Sequence, residues 1–161
     1  MAILLVPIWA ATPFSPPGCE FTVRIPGEMR PMEKQTEAGL VRGGVSEIIL
    51  KGSARKLFFS FECSQGPKFN FDLPNAGDLL IATLVKLNLS FGLTGTSYDV
   101  SKNSLSVLAI SKGTLKKIST DTVMRTEMHL GRNSLLILRV IGKQFDVDKI
   151  IANQFFNSVS R

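Results

Sequence analysis

The chain predicts an α+β fold, an antiparallel β-sheet with helices packed on it. Three observations lead there. Runs that alternate apolar and polar residues recur at spacings too short for parallel crossovers. One central segment switches to a helical period. The last stretch, MRTEMHLGRNSLLILRVIG (Met124 to Gly142), reads as a β-hairpin turning at Gly131-Arg132-Asn133-Ser134, and KQFDVDKIIANQFFNSVSR after it as a short amphipathic closing helix.

The chain has 161 residues, 44% hydrophobic and 20% charged. That composition is globular, and the length suits one domain with a sizeable core. The expected organisation is an apolar N-terminal segment over residues 1–18 and a single α+β domain over 19–161. Eleven phenylalanines against one Tyr and one Trp suggest aromatics used as core filler. A surface for stacking on bases or sugars would use more Tyr and Trp.

Glu20 to Ile25 alternates and stops at Pro26-Gly27, which is strand behaviour. Weaker strand patterns cover Met32 to Ala38 and Val45 to Lys51, with Gly39 and Gly43-Gly44 read as turn signals. Lys56 to Cys63 (KLFFSFEC) is the best central strand of the first half. Asn75 is a candidate helix cap with Asp78 three residues on. From there Leu80, Leu84, Leu87 and Phe91, flanked by Ile81 and Val85, make a wide apolar helix face that ends near Gly92 and Gly95. Strands resume at Ser97 to Ser101, Ser106 to Ser111 and Leu115 to Thr120. The closing hairpin pairs Thr122 to Leu130 with Leu135 to Ile141. In the last helix Asp146 is the expected N-cap, Phe145 and Ile150 a hydrophobic staple, and Val147, Ile151, Phe155 and Val159 the face on the sheet.

Ala2 to Ala11 is apolar and a Pro-rich stretch follows. The run is too short to span a bilayer and suits the apolar part of a secretory signal, although no Lys or Arg precedes it. A wrongly chosen start that clipped a longer signal would account for that. The expected location is therefore periplasmic or secreted, with cytoplasmic the alternative. In an exported chain the even pair Cys19 and Cys63 reads as a disulfide contributing about 3–4 kcal/mol.

The net charge is +6. From Ser101 to Phe145 the basic residues Lys102, Lys112, Lys116, Lys117, Arg125, Arg132, Arg139 and Lys143 face only Asp121 and Glu127. With no dense cluster, recognition helix or aromatic platform, a soluble basic protein with its lysines on the outer face of a sheet is favoured over a nucleic-acid footprint. Arg125, His129, Arg132 and Arg139 are the candidate carriers of that basic face.

Catalytic patterns are missing. Phosphate loops and the HExxH zinc motif are absent, and two Cys with one His cannot complete a four-ligand zinc site. No cofactor or metal is expected. Glu127 could orient the single His129, two residues along the same strand face. On an exposed strand such a pair is ordinarily just solvated.

CEFTVRIPGE, HLGRNSLLILRVIG and FDVDKIIANQFFNSVSR resemble a widespread family of exported bacterial proteins. Members open on a G-x-x-F-x-V-x-F-P-G-x-P strand and close with a hairpin of the GNRLYQLMVVG type and a helix like RFLDSFKL. Phe21, Val23, Pro26 and Gly27 match the opening. Gly131, Asn133, Leu136, Val140, Gly142, Phe155, Phe156 and Ser158 match the end. The group is similar to the PsbP/Mog-type α/β/α sandwich. That resemblance implies an antiparallel sheet between helices and a mostly non-enzymatic role. Some members stabilise the oxygen-evolving side of a photosystem, one branch binds a small GTPase, and many are uncharacterised envelope proteins. No residue specific to the first two branches is matched here.

The function expected is thus a non-catalytic, exported accessory or protein-binding domain of the cell envelope, its basic half facing an acidic protein complex or anionic surface. A small-molecule or lipid carrier, with its ligand between the apolar helix and the Phe-rich strand, is the alternative. A hydrolase-type enzyme using His129 and Glu127 is the third reading.

Overall fold

A computed structural model describes residues 13–37, 39–66, 68–103 and 106–161. The apolar run read as a signal, Ala2 to Ala11, lies outside them.

Seven strands form one sheet: β3 (Arg30–Thr36), β4 (Gly39–Ile49), β5 (Lys56–Gln65), β6 (Thr94–Lys102), β7 (Val107–Thr114), β8 (Thr122–Leu130) and β9 (Ser134–Lys143). Their order is β3-β4-β5-β9-β8-β7-β6, every neighbour antiparallel. β1 (Pro13–Phe14) and β2 (Val23–Arg24) make a separate two-stranded ribbon. The helices are α1 (Ala76–Phe91), α2 (Gln144–Val147) and α3 (Ile150–Asn157). This is the α+β architecture expected, with helices on both faces of the sheet.

Successive side chains of a strand point to opposite faces, so each strand feeds two cores. On one face Leu57, Phe59, Phe61 and Cys63 of β5 and Leu136, Leu138 and Val140 of β9 are buried under two covers. The N-terminal segment contributes Phe21, Val23 and Ile25, and α2 and α3 contribute Val147, Ala152, Phe155 and Phe156. On the other face α1 lays Ala76, Leu80 and Leu84 over Val107, Ala109, Met128 and Leu130. Gly92 ends α1 in the left-handed region at φ 70°, where glycine carries no Cβ penalty.

Several expectations change. Gly43-Gly44 is not a turn but the middle of β4. A Cβ on Gly43 would overlap the Phe61 carbonyl, and one on Gly44 would sit 2.8 Å from Met29 Sδ, so close strand approach explains these glycines. Glu20 to Ile25 keeps only Val23–Arg24 as strand, with a bridge from Thr22 to Ser160. Leu115 to Thr120 is a turn: Leu115 is buried and the Ile118 and Ser119 amides donate back to its carbonyl. The closing helix breaks at Asp148–Lys149. Asp146 therefore sits inside α2, fully buried, and its carboxylate meets Arg55 Nε at 3.2 Å and Lys149 Nζ at 3.4 Å. Phe145 and Ile150 are exposed and form no staple, whereas Val147 and Phe155 are buried as expected. On α1, Asn75 makes no side-chain cap bond and Phe91 is exposed; Asn88 takes the buried place instead.

Cys19 and Cys63 form a disulfide, their Cα atoms 6.2 Å apart. It ties the N-terminal segment to the centre of the sheet. Beside it the Glu20 carboxylate accepts the Asn133 N–H at 2.6 Å and the Arg132 N–H at 3.1 Å, and it pairs with Arg161 at the C-terminus. Desolvation opposes ionisation of Glu20, but the Asn133 amide, the Arg161 guanidinium and the Arg132 amide together hold its carboxyl below the usual glutamate value. Glu20 and Arg161 are thus both clamped to the β8–β9 turn.

Candidate functional site

Strand parity separates the four residues read as a basic face. Arg125 pairs across the ladder with Val140, so Arg139 must point to the other side. Arg139 is buried on the α1 side, 3.4 Å from Glu62 and with its guanidinium over the Phe91 ring. Arg125 and His129 lie on the opposite face. Arg132 is exposed in the hairpin turn. No continuous basic surface joins them.

Glu127 and His129 are brought together, yet not in solvent. β8 lies inside the sheet, and both residues are buried. Arg125 donates to Glu127 Oε1 at 2.6 Å and to Asn153 Oδ1 at 2.7 Å, and it stacks 4.2 Å over Phe156. His129 Nε2 stands 3.6 Å from Glu127 Oε2 without a hydrogen bond, its ring 6.0 Å from that of Phe21. The Arg125–Glu127 pair therefore fastens α3 to the sheet. Neither His129 nor Glu127 lines any of the hollows given below. Among the described residues no group of His, Cys, Asp and Glu could hold a metal ion, and no helix is long and apolar enough to cross a membrane.

Under α1 there is a hollow of about 170 Å³, lined by Leu79, Leu80 and Thr83 of the helix with Leu130 and Leu135 of β8 and β9, and not by the Phe-rich strand. α1 packs on β6, β7 and β8, and Phe59 and Phe61 of β5 face the other way. Only Phe58 of that strand's aromatics looks toward the α1 side, and it is half exposed.

What the fold does assemble lies at one end of the strands. There β4 leaves, β5 enters, β7 turns into β8, and β9 runs into α2. A largely apolar hollow of about 520 Å³ is lined by Phe58, Ile118 and Ile141, with Arg55, Lys56 and Lys143 at its rim. A second, more polar hollow of about 580 Å³ shares Arg55 and Lys143 and adds Asp121, Phe145 and Asp148. The rim cations are partly neutralised: Lys56 by Glu47 at 2.7 Å, Arg55 by Asp146, Lys143 by Asp121. The Asp121 carboxyl is held below its usual value by the Lys143 ammonium first and the Ser119 hydroxyl second. Next to these pairs the loops LKGSARK (50–56) and LKKIST (115–120) carry no acid at all. Lys51, Lys116 and Lys117 are exposed and make no ion pair among the described residues.

Such a surface offers apolar contact inside a cationic rim, which is binding chemistry. Its described lining holds no histidine or cysteine. Sequence reasoning missed it because its residues come from three connections far apart in the chain, β4–β5, β7–β8 and β9–α2. The two acid-free, lysine-bearing loops were the one legible signal. Compared with known proteins, the chain matches no family model and no curated relative.

Proposed function

We propose that this chain is a non-catalytic accessory protein of the cell envelope, related to the PsbP/Mog-type sandwiches, that works by binding an acidic partner at the strand-end surface. The observation that carries the reading is the apolar hollow ringed by Arg55, Lys56 and Lys143 beside unpaired loop lysines. The Cys19–Cys63 disulfide supports export, because such bonds persist in oxidising compartments. Helices on both faces of an antiparallel sheet support the kinship.

Photocrosslinking in cells tests it. A photoreactive residue in place of Phe58 or Ile118 gives discrete adducts in the envelope fraction, and one in place of Gln35, exposed on edge strand β3 near the opposite end of the sheet, does not. Adduct-free protein, or protein found wholly in the cytosol with its upstream sequence intact, sinks the reading.

The carrier alternative rests on the same hollow, whose volume falls within the range of roughly 300–1,000 Å³ typical of small-molecule sites. Native mass spectrometry would then show a retained ligand mass that disappears in Phe58→Asp. Purified chain with no added mass removes that alternative.

A further inference from the structure

The partner at the strand-end surface can be named by its chemistry. We propose that the surface docks on the anionic face of a lipid bilayer, with the loop tips entering the headgroup layer. The inference rests on the strand-end surface being where the protein binds.

Three features favour a bilayer over a protein. First, the apolar residues protrude. Ile49 is 63% exposed, Ile118 68% and Phe145 69%. A side chain two-thirds in water stands proud of its surroundings, so it enters an apolar medium more readily than it receives a partner's side chain. Scattered single apolar residues are ordinary on a surface; these three stand at the ends of β4, β7 and β9, on one rim of the sheet. Register places Ile49 opposite Lys56, and the two hollows link Ile118 and Phe145 through Arg55 and Lys143.

Second, the charge lies beside the apolar tips in the same loops. Lys116 and Lys117 precede Ile118, and Lys51 follows Ile49 by two residues. A lysine carries its ammonium on a long flexible stem, so it can lie along apolar groups and still reach phosphate. Third, the loops 50–56 and 115–120 contain no Asp or Glu, so nothing in them opposes an anionic surface. A basic residue near such a surface contributes about 1 kcal/mol, or about fivefold in affinity. Three unpaired lysines then supply about a hundredfold preference for anionic over neutral lipid.

Co-sedimentation of the full, disulfide-bonded chain with vesicles tests this. Binding to phosphatidylglycerol vesicles, little to phosphatidylcholine vesicles, and weakening by salt are expected. The triple variant Lys51→Gln, Lys116→Gln, Lys117→Gln loses about a hundredfold of that binding, and Ile118→Ser loses several-fold. A second triple, Lys34→Gln, Lys68→Gln, Lys102→Gln, removes the same net charge elsewhere and keeps most of the binding. All chains share residues 1–12, so any contribution of that apolar stretch cancels. Equal losses in the two triples, equal binding to neutral vesicles, or binding that survives the strand-end triple each overturns the proposal. A photoreactive residue in place of Ile118 separates the two levels. Protein adducts without lipid adducts keep the surface and discard the bilayer. No adduct of either kind discards the surface itself.

Discussion

The two ends of the sheet are built to opposite rules. At the β8–β9 turn every exposed backbone donor is met. Glu20 takes the Arg132 and Asn133 amides, Arg161 meets Glu20, Ser134 Oγ accepts the Glu20 N–H at 3.2 Å, and the disulfide anchors the residue before. At the other end Ile49, Ile118, Lys51, Lys116 and Lys117 are exposed, and these three lysines make no ion pair among the described residues, although Lys56 and Lys143 do. One end closes on itself, and the other is the surface to which the proposed binding is assigned. Closure uses short, charge-assisted contacts among residues far apart in sequence. Openness shows as exposed apolar side chains beside lysines that lack an ion pair among the described residues.

Breaking each end should have very different effects. The largest belongs to the disulfide. Its 44-residue separation corresponds to about 4 kcal/mol in the chain-entropy account. Urea unfolding with and without reductant should show a loss of that order, and a loss below about 1 kcal/mol would mean that the clamp is held by its hydrogen bonds alone. Next comes Glu20→Ala, which removes the acceptor of two turn amides and the ion pair with Arg161. About 2 kcal/mol is expected, as for hydrogen bonds to charged groups, read from the urea midpoint at neutral pH.

Acid gives a sharper view of the same end. The folded carboxyl of Glu20 is depressed below its unfolded value. Its contribution is therefore complete above the ordinary glutamate pKa of about 4.3 and fades as pH falls through that value toward the lower folded one. The stability gap between the parent chain and Glu20→Gln should be constant near neutrality and narrow progressively below about pH 4. A gap that widens in acid would contradict the direction of the shift. The smallest effect is at the open end: Ile118→Ser or Lys117→Gln should change stability by less than about 0.5 kcal/mol, measured by thermal unfolding, while the vesicle binding proposed above falls. A large stability loss there would mean that those side chains serve the fold.

Much of the fold was legible because local chemistry agreed with it. The hairpin at Gly131 to Ser134, the Phe-rich β5 and the helix stopped by Gly92 all announce themselves by period and turn residue, and all three form. Gly43-Gly44 misled, since two glycines in a row look like a turn when the neighbour that needs them, Phe61, is invisible in the local sequence. Asp146 misled in a related way. Its spacing fits a helix cap, but α2 carries the carboxylate into the interior, near Arg55 and Lys149 yet without a hydrogen bond. The basic face did not survive folding, because Arg125 and Arg139 sit on adjacent strands with opposite parity. Their strands were readable; the register between them was not.

By itself the sequence determined the element types, the closing hairpin, the disulfide pair and the absence of familiar catalytic motifs, because each depends on residues within a few positions or on residue type alone. The tertiary structure decided which strands are neighbours, which face each side chain meets and what covers it. That is why Glu127 and His129 became interior residues and Ile49, Ile118 and Phe145 came to share one rim. Those outcomes depend on long-range pairing, where a shift of one residue turns every side chain to the other face.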